Sequence, residues 1–212
     1  MTLDELVVFE KQFLSFITEQ GHADSAHDVS HITRVVKVAK AMAQEERAEL
    51  AIVVPAAWLH DCVSFPKSHP DRKKASTLAG DKAITFLESI GYPQVCFDAI
   101  HHAISAHSFS ANIAPTTLEA KIVQDADRLD ALGAVGVARC MLVSGSVHRS
   151  LYSIDDPFCD SRPVDDKQFS IDHFYSKLFN IAETLHTDSA RIEGRKREAF
   201  MRDFLAQLKQ EI

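Results

Sequence analysis

Glycine is scarce, 7 residues in 212, and no segment alternates apolar and polar residues around hairpin-type turns, so a β-sheet has little to build on. Cysteine is thin as well. Cys62, Cys96, Cys140 and Cys159 stand far apart with no C-x-x-C pair, which argues against a zinc knuckle or a disulfide framework and suits reduced thiols in or near a core. Basic charge is in deficit. With 23 Lys+Arg against 30 Asp+Glu, the net charge is −7, so neither nucleic acid nor an anionic membrane is an expected partner. No stretch nears the ~18 uninterrupted apolar residues of a membrane span; the run Leu50 to Leu59 halts at His60 and Asp61. Met1 to Val8 carries Asp4 and Glu5 where a signal peptide would be basic. Neither GxxxxGK(S/T) nor GxGxxG occurs, which rejects P-loop and Rossmann readings. A soluble, cytoplasmic protein is expected.

Material for a core is ample, at 46% hydrophobic residues. A chain of this length reads as one domain spanning residues 1 to 212, able to bury roughly 70% of its unfolded surface. Apolar residues recur at helical spacing over Asp4 to Gln20, Val29 to Arg47, Asp71 to Ile90, Gln94 to Ala106 and Thr117 to Ser144, the last broken near Gly133 or Gly136. Glu49 to Cys62 is almost wholly apolar; its Ala-rich half favours a buried helix over a buried strand, with Pro55 near its first turn or at a kink. A loop rich in Asp, Pro and Ser runs from Gly145 to Lys167, before two last helices, Ile171 to Leu185 and Thr187 to Ile212. The expected fold is all-α, with this long loop before the two C-terminal helices. Loops of such length are usually functional or mobile.

Histidine is unevenly placed, with seven of eleven between positions 27 and 107. His60-Asp61 ends the apolar run, and a carboxylate buried there is costly unless a partner neutralises it. A divalent cation is one such partner; a helix end reaching water is the other. His27 and His31 stand at i, i+4, where both rings face one point. Asp125, Asp127 and Asp130 fall among Ile122, Val123, Leu129 and Leu132, with Asp127 and Asp130 about a turn apart. His101, His102 and His107 add imidazoles near a helix end. Imidazole and carboxylate without thiolate suit Mn²⁺, Fe²⁺, Co²⁺, Ni²⁺ or Mg²⁺, usually with positions open to water.

The order His31, His60-Asp61, Asp127 resembles the H…HD…D signature of the HD-domain metal-dependent phosphohydrolase superfamily. The wider match is similar to stand-alone bacterial HD proteins of the YedJ type. It includes Lys67-Ser68-His69-Pro70, His102 to Ala111, Asp156-Pro157-Phe158, Arg162-Pro163 and Asp165-Asp166-Lys167, and covers roughly positions 24 to 180. The resemblance implies an all-α fold in which His31, His60, Asp61 and Asp127 ligate one divalent metal, with a two-metal alternative kept open by His102 and His107. Asp125, Asp130 and His27 are left to support the ligands by hydrogen bonding.

Phosphoester or phosphoanhydride hydrolysis is the reaction such a site favours. Lys67, His69, His107 and Arg128 are the expected substrate contacts, Asp61 the catalytic carboxylate, and Lys67 or His102 the acid that protonates the leaving oxygen. Cys62, Val63, Ser64 and Phe65 follow the HD pair, so the acidic residue that assists water in some superfamily members has no counterpart here. The resemblance suggests nucleotide substrates, including triphosphates cleaved to monophosphate and pyrophosphate. Tyr92, Tyr152, Phe158 and Tyr175 are candidates to stack on a base, although packing is the simpler role for each. The competing classes are a di-iron HD-type oxygenase and a non-catalytic nucleotide-binding regulatory module.

Overall fold

A computed structural model describes residues 1–20, 29–65 and 69–212. Among these residues the chain is all-α: α1 (Leu3–Gln20), α2 (Val29–Glu45), α3 (Leu50–Leu59), α4 (Ala75–Ser89), α5 (Phe97–His107), α6 (Leu118–Leu129), α7 (Gly133–Ser146), α8 (Phe179–Glu183) and α9 (Asp188–Glu211). The one β feature among them is an isolated bridge between Ser150 and Phe169. No single described helix is long and apolar enough to cross a membrane.

The chain forms two compact units, Met1–Asp127 and Arg128–Ile212. In the first, α3 is apolar on every side and buried along nearly its whole length, as a helix without a polar face must be. It starts where the Glu49 side chain accepts a hydrogen bond from Ala51 N at 3.1 Å. Pro55 sits inside it and has no N–H for the carbonyl of Ala51, one turn back. The hydroxyl of Tyr92 donates to that carbonyl instead, at 2.7 Å. Tyr92 reaches it because α4 ends in a left-handed Gly91 (φ +72), after which Tyr92 N bonds Leu87 O at 3.0 Å. The Tyr92 ring then packs edge-on against Phe9 of α1, 4.8 Å between centroids.

Helix α4 begins later than its apolar periodicity suggests, because residues Arg72–Lys74 tighten into a 3₁₀ turn. The long apolar stretch from position 117 breaks at Gly133, as expected, where φ is +71 and a Cβ would stand 3.1 Å from Arg197 Cγ.

The second unit adds detail to two expectations. The segment from 145 to 167 is irregular, yet closely hydrogen-bonded within itself. Asp156 accepts from the backbone N–H groups of Asp160, Ser161 and Arg162 at 2.7–3.0 Å. Arg162 forks onto both oxygens of the fully buried Asp172, at 2.6 and 2.7 Å. The helix expected from Ile171 to Leu185 is present as an unbroken helical run over 172–183, with a π-helical segment, Phe174–Leu178, leading directly into α8. Buried Phe174, Leu178 and Phe179 face its core.

Candidate metal centre

Three helices and one helix end of the first unit bring the chemistry together. His31 lies in the first turn of α2 and is fully buried, among Ile32, Val35 and Val36 of the same helix. His60 and Asp61 follow the last turn of α3. At that end His60 Nδ1 donates to Ala57 O at 2.9 Å, and a carbonyl can only accept, so the neutral ring keeps its bare lone pair on Nε2. Asp127 comes from the last turn of α6. His107 closes α5 by the same local device as His60, Nδ1 donating to Ile104 O at 2.6 Å. The side-chain amide of Gln124 on α6 bonds Ala106 O at 2.6 Å, tying α6 to this end of α5.

Distances within the group are short. His31 Nε2 is 3.4 Å from Asp127 Oδ1 and 3.8 Å from Asp61 Oδ2. His60 Nε2 is 3.4 Å from Asp61 Oδ2 and 4.0 Å from Asp127 Oδ1. His107 Nε2 is 3.5 Å from Asp61 Oδ1. Two donors about 2.1 Å from one cation lie roughly 3–3.5 Å apart, so this spacing fits a shared ion. Two triplets of donors, His31/His60/Asp127 and His60/Asp61/His107, each fall within 4.8 Å. His60 Nε2 is buried and makes no hydrogen bond, an expensive state that a cation would relieve.

Electrostatics agree with the geometry. Burial pushes the Asp61 carboxyl up, but His60 and His107 outweigh it and hold the group well below the usual carboxylate range. Asp127 behaves likewise, burial opposing and His31 leading the downward pull. His107 moves the other way, above its ordinary value, because Asp61 overcomes the effect of burial. The site is also graded: the side chains of His31 and His60 are closed to solvent, while Asp61 and Asp127 keep 17% and 30% of theirs exposed. The group meets solvent on its carboxylate side.

Similarity to known proteins bears directly on this arrangement. Residues 28–132, which include all five side chains, match the family model for the HD domain. A Bacillus subtilis (strain 168) protein, the uncharacterized YpgQ, is 33% identical over 202 residues, covering 93% of this chain and 89% of its own. The chain belongs to the HD-domain family. The crystal structure of YpgQ in complex with ADP superposes with a TM-score of 0.74 at 32% identity, covering 95% of this chain and 97% of the other. An HD-superfamily hydrolase from Bacillus thuringiensis superposes at 0.72 with 30% identity, covering 95% and 97%.

Other residues singled out in the sequence sit elsewhere. His102 Nε2 accepts from the N–H of Thr116 at 3.0 Å and lies 3.0 Å from its hydroxyl, so it braces the turn before α6. Arg128 Nη1 donates to Thr184 O at 2.6 Å within the second unit. The His69 ring stacks on Phe65, 4.3 Å between centroids, and its Nδ1 accepts from Asp71 N. Asp130 pairs with Arg139 at 2.6 Å, and Asp125 is fully buried. Of the aromatic candidates, Tyr92 is buried beneath α1, Phe158 lies under Lys209 Nζ and Tyr175 packs on Phe179. Lys67 and His27 fall outside the described residues.

His107, expected at the substrate, stands beside Asp61 and His60. A signal for it exists: Ala103, Ile104 and Ala106 lead into His107 much as Ala56, Ala57 and Leu59 lead into His60. Both are apolar helices ending in an imidazole whose own helix supplies the carbonyl for Nδ1.

Proposed function

We propose that the chain is a divalent-metal-dependent phosphohydrolase of nucleotides, acting on triphosphates to release monophosphate and pyrophosphate. The observation that carries this reading is the convergence of His31, His60, Asp61 and Asp127 on one partly open point. Those four side chains would hold a single ion of the Mn²⁺, Mg²⁺, Co²⁺, Ni²⁺ or Fe²⁺ class. A bound ion supplies Lewis acidity toward a phosphoryl oxygen and lowers the pKa of an adjacent water.

The chain's own groups do the rest. Asp61 offers one carboxylate oxygen to the centre and the other to His107, which orients the imidazole. His107, its Nδ1 fixed on Ile104 O and its Nε2 turned to Asp61, is the proposed source of the proton that the leaving phosphate oxygen takes up. It joins Lys67 and His102, the groups the sequence suggested for that acid role. Lys67 and His69, shortly after the HD pair in sequence, remain proposed phosphate contacts. The two donor triplets share His60, whose Nδ1 is spent on Ala57, and this supports one ion over the two of an oxygenase. That a relative binds ADP supports a nucleotide substrate.

The test is a phosphate- and pyrophosphate-release screen of nucleoside mono-, di- and triphosphates with Mn²⁺, Mg²⁺, Co²⁺ and Ni²⁺, beside Asp61→Ala. Metal-dependent release that Asp61→Ala abolishes is expected. Full hydrolysis by Asp61→Ala would overturn the assignment, and ligand-induced stabilisation without turnover would favour a regulatory module.

A further inference from the structure

Away from the centre, one carboxylate joins the three helices that enclose it. Glu10 of α1 accepts from Lys40 Nζ on α2 at both oxygens, 3.0 and 2.8 Å, and from Trp58 Nε1 on α3 at 3.0 Å. Its side chain is 16% exposed, so the charge is largely desolvated and would be costly without these partners. The geometry is also directional. An indole N–H donates along one line, and an ammonium engaging both oxygens further restricts the carboxylate's rotation.

What the triangle joins matters more than its own stability. Lys40 shares α2 with His31, and Trp58 stands two residues before His60. The His31 and His60 donors that converge on Asp61 and Asp127 therefore ride on the two helices that Glu10 joins. Sliding one helix past the other by a single residue is about 1.5 Å. That displacement would spoil donor spacings of 3.4 to 4.0 Å, since metal and catalytic constellations tolerate only about 0.5 Å.

We propose that Glu10 is a positioning residue for the metal centre, setting the axial register of α2 against α3 through Lys40 and Trp58. The inference rests on the reading of His31, His60, Asp61 and Asp127 as metal ligands.

The experiment titrates the metal-free full chain with Co²⁺ and Mn²⁺, recording affinity and the Co²⁺ ligand-field spectrum, for wild type, Glu10→Ala, Glu10→Gln and Lys40→Met. Glu10→Ala is expected to weaken binding about tenfold, the scale found when groups supporting metal ligands are removed, and to alter the Co²⁺ band shape. Glu10→Gln, which keeps an acceptor for Trp58 but loses the ion pair, should restore part of both. If Glu10→Ala fails to fold, Lys40→Met is read in the same way, because it leaves the Glu10–Trp58 bond in place. Unchanged affinity and spectrum in the variants, whatever the loss in melting temperature, overturn the positioning role alone. A wild-type chain that takes up neither ion overturns the metal reading and this inference with it.

Discussion

Replacing Tyr92 by phenylalanine deletes one hydroxyl and leaves the Ala51 carbonyl, inside a buried helix, with no donor from position 55. An unsatisfied buried carbonyl costs about 1–3 kcal/mol, so Tyr92→Phe should destabilise by about 2 kcal/mol. For a chain of this size that lowers Tm by roughly 4–8 °C. The structure also says how to rescue it. Pro55→Ala returns an N–H to position 55, which can close the ordinary helical bond to Ala51 and make the tyrosine hydroxyl redundant. In that background Tyr92→Phe should cost about 1 kcal/mol less, even though Pro55→Ala by itself loses some unfolded-state restriction, about 0.4–1 kcal/mol. Urea unfolding of the four proteins in this cycle, compared at constant m, measures the coupling. Additive effects, within about 0.5 kcal/mol, would refute the idea that the hydroxyl stands in for the missing N–H.

His107→Gln should lower the rate of phosphate release by about 10²-fold or more while leaving most of the metal affinity, as removal of a general acid does; equal losses in both, read by titration and turnover, would make His107 a ligand only. Arg162→Met strands the fully buried Asp172 with only lesser partners and should cost about 3 kcal/mol in chemical denaturation; a change under about 1 kcal/mol would show that the pair is not truly desolvated. Burial holds the His173 imidazole below its ordinary value against the pull of Asp166. Since the unfolded chain then takes up the proton first, this contribution to stability is present above about pH 6.5 and is lost as pH falls through the lower folded value. The stability difference between wild type and His173→Gln should therefore shrink between pH 7 and 5, and a constant difference would contradict it. Asp172 is likewise depressed, burial opposing and Arg162 prevailing, so its share persists to about pH 4 and disappears below, which the acid limb of the same unfolding series will show.

Helices were legible wherever one apolar face repeats, as in α1, α2 and α5, because burying a stripe every 3.6 residues requires that period. The break at Gly133 was legible for a local reason as well, since a left-handed backbone favours glycine. The widening of the helix expected over 171–185 into a π segment at Phe174–Leu178 was not, because nothing in the local apolar period separates an α-turn from a π-turn.

The centre divides along the same line. Local sequence marked His60-Asp61 and the His27/His31 and Asp125/Asp127/Asp130 groups, since charges and imidazoles set among apolar residues carry a desolvation cost, and the resemblance to HD domains singled out His31, His60, Asp61 and Asp127. Which of the remaining histidines joins them was settled only in three dimensions: His107 points inward and His102, five residues earlier, is held by Thr116. A separation of five residues on an α-helix turns a side chain through about 500°, or 140° net, and only the packing of α5 against its neighbours decides which of the two faces the donors. The same holds for Glu10, an ordinary acidic residue in a surface helix until Lys40 and Trp58 are brought to it.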